Sequence, residues 1–244
     1  MASTGSNPIP GHPSSNSTPL VAADHANDGK KHLLLAASGS VATIKIPNIV
    51  KALSKYPNLS IIILCTPSAS NFLAGQSAEQ PTLQSLRDFP NVDAIYSDED
   101  EWTEPWTRGG GILHIELRRW ADIMVIAPLS ANSMAKMVGG FADNLLLSVI
   151  RAWDTTGLID ERGCGGLKRI VVAPAMNTAM WRHPITKRQI AVLEEEWGVD
   201  KEDGWVEVLR PQEKELACGD VGDGAMREWT EVVTVIEERL GLVE

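Results

Sequence analysis

From residue 30 onward the chain alternates two kinds of segment. Short runs that are almost wholly apolar, HLLLAA at 32–37, SIIILC at 60–65, DIMVIA at 122–127 and RIVVA at 169–173, are separated by stretches of helical periodicity. A strand that is apolar on both faces has no side to offer to water, so it belongs in a parallel sheet with helices packed on both surfaces. Weaker runs at 91–95 and 205–209 predict two more strands. Helices are expected from the 38–40 turn to about residue 55, over 114–120, after 132, and over 143–153, 183–197 and 228–240. Pro47 falls inside the first of these, so that helix begins late or kinks. The expected fold is α/β: a flavodoxin-like or Rossmann-like three-layer sandwich around a parallel sheet.

Residues 1–28 do not share this pattern. They are rich in Ser, Asn, Pro and Gly and hold no Lys or Arg. Such a composition buries too little apolar surface to offset the entropy of ordering, so a disordered tail is expected over 1–28 and a single domain over 29–244. No charged segment precedes an apolar one there, as a secretory signal requires, and a transit peptide would carry Arg. Apolar runs stay far short of the ~18 residues of a membrane span. With 22 Lys+Arg against 32 Asp+Glu the net charge is −10, the wrong sign for displacing counterions from nucleic acid. Three cysteines, Cys65, Cys164 and Cys218, are too sparse for a disulfide framework and point to a reducing, cytoplasmic setting. No CxxC or close Cys/His cluster is present, so no metal site is expected.

Right-handed crossovers bring the C-terminal ends of parallel strands to one edge, where open α/β sheets bind ligands. Four loops expected there are built of small and polar residues: Ser38-Gly39-Ser40, Thr66-Pro67-Ser68, Ser130-Ala131-Asn132 and Ala175-Met176-Asn177. Small residues let backbone N–H groups approach a phosphate, and hydroxyls add donors. Each loop alone reads as a turn; four on one edge favour a phosphate-bearing ligand. Neither GxGxxG nor GxxxxGK[ST] occurs, which removes the usual dinucleotide and P-loop readings.

Three residues carry reactive or anion-binding groups in suggestive places. His114 lies on a short amphipathic helix with Leu113, Ile115 and Leu117; a histidine there is more often structural, but one titrating near neutrality can move a proton. Cys218 sits in LACGDVGDGAM, where three glycines in six positions argue for a mobile loop rather than a strand or helix. A loop cysteine is either incidental or a reactive thiol. Asn177, after the 169–173 strand, is either a helix cap or a ligand for an anion. Arg118 and Arg119 read as surface ion pairs or as partners for a phosphate.

Eight segments together are similar to one family: LLAASGSVA (34–42), DEDEW (98–102), LHIELRRWAD (113–122), IAPLSAN (126–132), GGFADNLL (139–146), IRAWD (150–154), VAPAMNTAMW (172–181) and ACGDVGDGAM (217–226). The chain resembles the homo-oligomeric flavin-containing cysteine decarboxylases, and among them the phosphopantothenoylcysteine decarboxylases of eukaryotic type. The resemblance spans essentially the whole folded part. It implies bound FMN, a homotrimer with the flavin near subunit interfaces, and conversion of 4′-phosphopantothenoylcysteine to 4′-phosphopantetheine in coenzyme A biosynthesis. It assigns catalysis to His114, Cys218 and Asn177, with Asn177 holding the substrate carboxylate and Cys218 donating a proton from a flap. It places Ala217 and Met226 against the substrate. It assigns FMN contacts to Gly39, Ser40, Val41, Thr66, Ser68, Ser130, Ala131, Asn132 and Ser133, and makes Asp143 and Asn144 cap and interface residues.

Two departures accompany it. Ser133 stands where many relatives carry Thr, which preserves the hydroxyl. Glu215 stands just before LACGD, where a basic residue is usual. Residues 158–167 look like an inserted surface loop. Two other activities occur among proteins of this type: regulation of a protein phosphatase, alone or in mixed trimers with a paralogue, and decarboxylation of a peptide C-terminal cysteine. The chain lacks the long acidic C-terminal tail that goes with the first, and the Cys218 flap disfavours the second.

Overall fold

The structure, a computed structural model, describes residues 19–103, 105–160, 167–215 and 221–242, with only the backbone at 213–215 and 221. Its strands are β1 (Lys31–Ala37), β2 (Leu59–Cys65), β3 (Ala74–Ser77), β4 (Gln80–Thr82), β5 (Val92–Tyr96), β6 (Ile123–Leu129), β7 (Ile170–Pro174), β8 (Val206–Val208), β9 (Gln212–Glu215) and β10 (Val221–Ala225). Its α-helices are α1 (Ile46–Leu53), α2 (Pro67–Ser70), α3 (Leu113–Trp120), α4 (Ala131–Val138), α5 (Leu145–Arg151), α6 (Thr178–Trp181), α7 (Pro184–Ala191) and α8 (Trp229–Leu240).

Six strands form one parallel sheet in the order β5-β2-β1-β6-β7-β8. Counting only these six along the chain, the order is 3-2-1-4-5-6. That is the Rossmann arrangement and not the flavodoxin one, in which the first strand is second from the edge. The chain builds outward from β1 through β2 to β5, then returns to place β6 on the other side of β1. A crevice opens between the ends of β1 and β6, where connections leave in opposite directions.

Alternation within each run explains both covered faces. Leu33, Leu35 and Ala37 of β1, Ile61 and Ile63 of β2 and Val125 of β6 pack on one side with α1 and α8. Leu34, Ala36, Ile62, Leu64, Met124 and Ile126 pack on the other, against α3, α4 and α5. In α1, Ile46, Ile49, Val50 and Leu53 recur with helical spacing and are fully buried. Pro47 sits in the first turn of α1, after a 3-10 stretch over Val41–Lys45. The first helix therefore begins late, at a position where a missing N–H costs nothing.

Two expectations need correction. Part of the proposed tail is ordered: Leu20 packs on the core, Ala22 is buried in a 3-10 turn over Ala22–His25, and the Ala22 N–H donates to Glu116 Oε2 at 2.8 Å. Two apolar residues and one carboxylate on α3 suffice to hold this short segment despite its polar composition. The glycine-rich stretch after residue 211 is also not simply a loop. β9 and β10 pair antiparallel, Glu215 opposite Val221 and Gln212 opposite Ala225, with a register shift between Gly222 and Ala225.

Candidate active site

The β1 and β6 ends are joined by serine hydrogen bonds. Ser38 Oγ accepts from the Ser130 N–H at 2.8 Å and donates to the Pro128 carbonyl at 3.2 Å. The Ser38 N–H donates to that carbonyl as well, at 3.0 Å. Ser38 was not among the expected cofactor contacts; its buried position between two strand ends makes it the brace of the crevice. Ser130 caps α4 through Ser133 N–H, and its hydroxyl also meets Ser133 Oγ at 3.3 Å. Both are buried, whereas Asn132 is exposed.

The second loop leans on the first. A Cβ on Gly39 would come within 2.6 Å of Ser68 Cβ, so only glycine lets the β1 and β2 loops meet this closely. Ser40 caps the 3-10 turn that begins at the exposed Val41, and Thr66 caps α2 by accepting from the Ala69 N–H at 3.3 Å. Thr66 is buried and Ser68 exposed. Small residues and hydroxyls thus crowd the crevice at Gly39, Ser40, Ser68, Ser130 and Ser133. Such a donor set fits an anionic, hydroxyl-rich group.

Asn177 follows β7 and is exposed. Its side-chain oxygen accepts from the Met180 N–H at 2.8 Å, capping α6. The next hydroxyl, Thr178 Oγ1, is buried without a hydrogen-bond partner among the described residues, as expected beside a site that a polar ligand completes. The β9–β10 hairpin lies against this turn. The Met176 N–H donates to the Gly224 carbonyl at 2.9 Å, and a Cβ on Gly224 would stand 2.2 Å from the Met176 carbonyl oxygen. Arg182 Nε meets both Asp223 carboxylate oxygens at 3.2 Å. Gly224, one of the glycines that suggested a loop, is here because the strand passes too close for a side chain. Cys218 and Ala217 lie outside the described residues, between the two strands of this hairpin. Met226 is buried in the core on the α1/α8 side.

His114, in the first turn of α3, opens on a different space. It lines a cleft of about 570 Å³ with Asp98, Glu101, Trp102, Asn144 and Arg151. Its Nδ1 is in contact with Glu101 Oε1, which fixes the ring and leaves Nε2 for the cleft. Two of the acids at 98–101 have definite tasks. Asp98 accepts from the Leu145 N–H at 3.1 Å at the start of α5, and Glu101 orients His114. Burial, followed by the nearby Glu99, Glu101 and Asp143 charges, raises the Asp98 carboxyl above its ordinary value despite the Leu145 hydrogen bond. Asn144 caps α5 through the Leu147 N–H at 2.9 Å, and Asp143 pairs with Lys136.

Neither arginine of α3 reaches the crevice loops. Arg118 is buried, donating to the Ala152 carbonyl at 3.1 Å and to Asp160 at 2.9 Å. Lys168 joins the same Asp160 at 3.1 Å. Asp160 therefore anchors the segment that looked like a surface insertion, although Leu158 and Ile159 are exposed. Arg119 pairs with Glu116 at 3.2 Å on the surface. Within one chain, then, none of the residues lining the His114 cleft comes from the Gly39, Ser68 or Asn177 loops.

The family described as Flavoprotein matches residues 21–241. A probable phosphopantothenoylcysteine decarboxylase of Arabidopsis thaliana is 43% identical over 200 residues, 82% of this chain and 83% of that protein. A solved cysteine-to-serine mutant of PPC decarboxylase, complexed with pantothenoylaminoethenethiol, superposes with a TM-score of 0.68 at 40% identity, covering 86% of this chain and 97% of that one. The FMN binding protein AtHal3 gives a TM-score of 0.67 at 40% identity, covering 88% and 99%.

Proposed function

The chain belongs to the flavoprotein family, and on that premise we propose that it is an FMN-dependent decarboxylase that converts 4′-phosphopantothenoylcysteine to 4′-phosphopantetheine in coenzyme A biosynthesis. The observation that carries this reading is the seating of β10 on the turn that presents Asn177, with Cys218 falling between β9 and β10 in the sequence. A carboxylate holder and a thiol donor are what a decarboxylation needs, one for the departing group and one for the carbon it leaves.

Bound FMN supplies a reversible two-electron oxidation of the substrate thiol, which creates an electron sink beta to the carboxylate; the net reaction is redox-neutral. The Gly39-Ser40-Val41 loop, Thr66, Ser68 and residues 130–133 hold that cofactor at the switch point of the sheet. The Asn177 amide binds the substrate carboxylate without the strong stabilisation an arginine would give, which suits a group that leaves as neutral CO2. His114, oriented by Glu101, receives a proton from the substrate. Cys218 returns a proton to the carbon, and closure of the hairpin excludes water meanwhile. Ala217 and Met226 contribute to the substrate wall.

We further infer a homotrimer, because the His114 cleft and the crevice loops are distinct within one chain and association would bring them into a common site. Exposed Trp102, Phe141, Met180 and Ile185 give such a contact apolar surface. Among the described residues no helix is long and apolar enough to cross a membrane, and the sparse cysteines favour the cytoplasm as the setting. The reading is tested by incubating the purified protein with phosphopantothenoylcysteine. Stoichiometric CO2 and phosphopantetheine are expected; a yellow protein that forms neither overturns it.

A further inference from the structure

We infer that His25, Asp28 and His32 form a binding site for a divalent transition-metal ion of the zinc type, which clasps the N-terminal segment to the start of β1. The three side chains converge: one donor atom from each lies within 4.8 Å of the other two. Asp28 Oδ2 is 3.3 Å from His25 Nδ1 and 3.0 Å from His32 Nε2. Bonds of about 2.0–2.1 Å in tetrahedral geometry place adjacent donor atoms about 3.3 Å apart. The Asp28 oxygen therefore already stands near ligand spacing from both imidazoles.

A second observation points the same way. His32 is fully buried, and its far ring nitrogen, Nδ1, faces Asp122 Oδ2 at 3.4 Å. The same Asp122 oxygen accepts the His32 backbone N–H at 2.8 Å. The Trp120 ring packs edge-on against the imidazole, with centroids 4.7 Å apart. A carboxylate behind one ring nitrogen, with the other nitrogen towards the site, is the usual support of a metal-binding histidine. The two nitrogens and one oxygen suit Zn²⁺ and its neighbours in the first transition row better than Mg²⁺ or Ca²⁺, which favour all-oxygen sites. His25 and Asp28 lie on the open side, at 35% and 22% side-chain exposure, so water completes the coordination and the ion enters from solvent. Cysteine counting missed the site because none of its ligands is a cysteine and two of the three lie within the polar leader.

The test is a Zn²⁺ titration of the full-length protein against a chromophoric chelator, with the parent, His25→Ala and Asp28→Asn compared. His32 is left intact because its burial in β1 ties it to folding. The parent is expected to bind one equivalent that both variants bind at least tenfold more weakly, with flavin content and turnover unchanged. Zn²⁺ is also expected to slow tryptic cleavage at Lys30–Lys31 in the parent and not in the variants. A parent that binds no Zn²⁺, or variants that match it, would leave a hydrogen-bonded latch in place of a metal site and overturn the inference.

Discussion

The Met176 N–H donates to the Gly224 carbonyl at 2.9 Å, and this bond seats the β9–β10 hairpin on the turn that carries Asn177. A side chain at Gly224 has no room beside Met176. Gly224→Ala should lift the strand from the turn and lower turnover by about a hundredfold, the scale expected when a catalytic group moves by roughly 1 Å. Bound flavin should stay near the parent level. Steady-state rates and flavin absorbance on the same preparation check both parts.

Cys218 is tested by separating CO2 release from product formation. Cys218→Ser should release CO2 once per active site and then stop, with the flavin still reduced and little phosphopantetheine formed. Full turnover by the variant would remove Cys218 from the role of proton donor.

Asn177 caps α6 and is proposed to hold the substrate carboxylate, and two substitutions divide those roles. Asp caps as well as Asn, so Asn177→Asp should melt like the parent yet lose turnover by at least a hundredfold, since it sets a charge against the substrate carboxylate. Asn177→Ala should lose turnover and about 1 kcal/mol of stability together. Thermal melts alongside kinetics distinguish them.

Gly39 and Ser68 meet in the loops proposed to hold FMN. Gly39→Ala introduces a contact of 2.6 Å to Ser68 Cβ, and overpacking of this kind costs about 1–3 kcal/mol. Flavin affinity should fall about tenfold on that scale. Adding Ser68→Gly removes the clashing atom and should recover part of the loss, measured by fluorescence titration of the apoprotein with FMN.

Asp154 should contribute to acid sensitivity. Burial acts to raise its carboxyl, but the Asp160 and Ile159 N–H groups, together with the Thr156 hydroxyl and N–H, outweigh it and hold the group well below the usual carboxylate range. A folded-state value below the unfolded one stabilises the protein above the unfolded value of about 3.9, and that stability drains away as pH falls below it. Asp154→Asn should cost about 2–3 kcal/mol at pH 7. The gap between parent and variant should narrow below about pH 4, as read from urea midpoints.

Much of this architecture was legible along the chain. HLLLAA, SIIILC, DIMVIA and RIVVA became β1, β2, β6 and β7 because burial on both faces leaves a local record. Pro47 marked a helix that begins late or kinks, and it begins late; Asn144, which the resemblance made a cap or interface residue, caps α5. Arg118 was harder to place: an arginine buried on Asp160 and an exposed one look alike in the sequence until the distant partner is known. The hairpin was hidden for a related reason, since glycines that signal a loop also occur where a strand passes close to another backbone.

The sequence by itself determined the layers, the parallel sheet and the small-residue loops at its edge, because hydrophobic period and turn chemistry act over a few residues. Tertiary structure decided that β6 lies beside β1, that Ser38 braces Ser130, that Gly224 abuts Met176, and that Ala22 reaches Glu116 on α3. Those contacts join positions tens of residues apart, and their energies depend on distances of a few ångströms that no local pattern encodes.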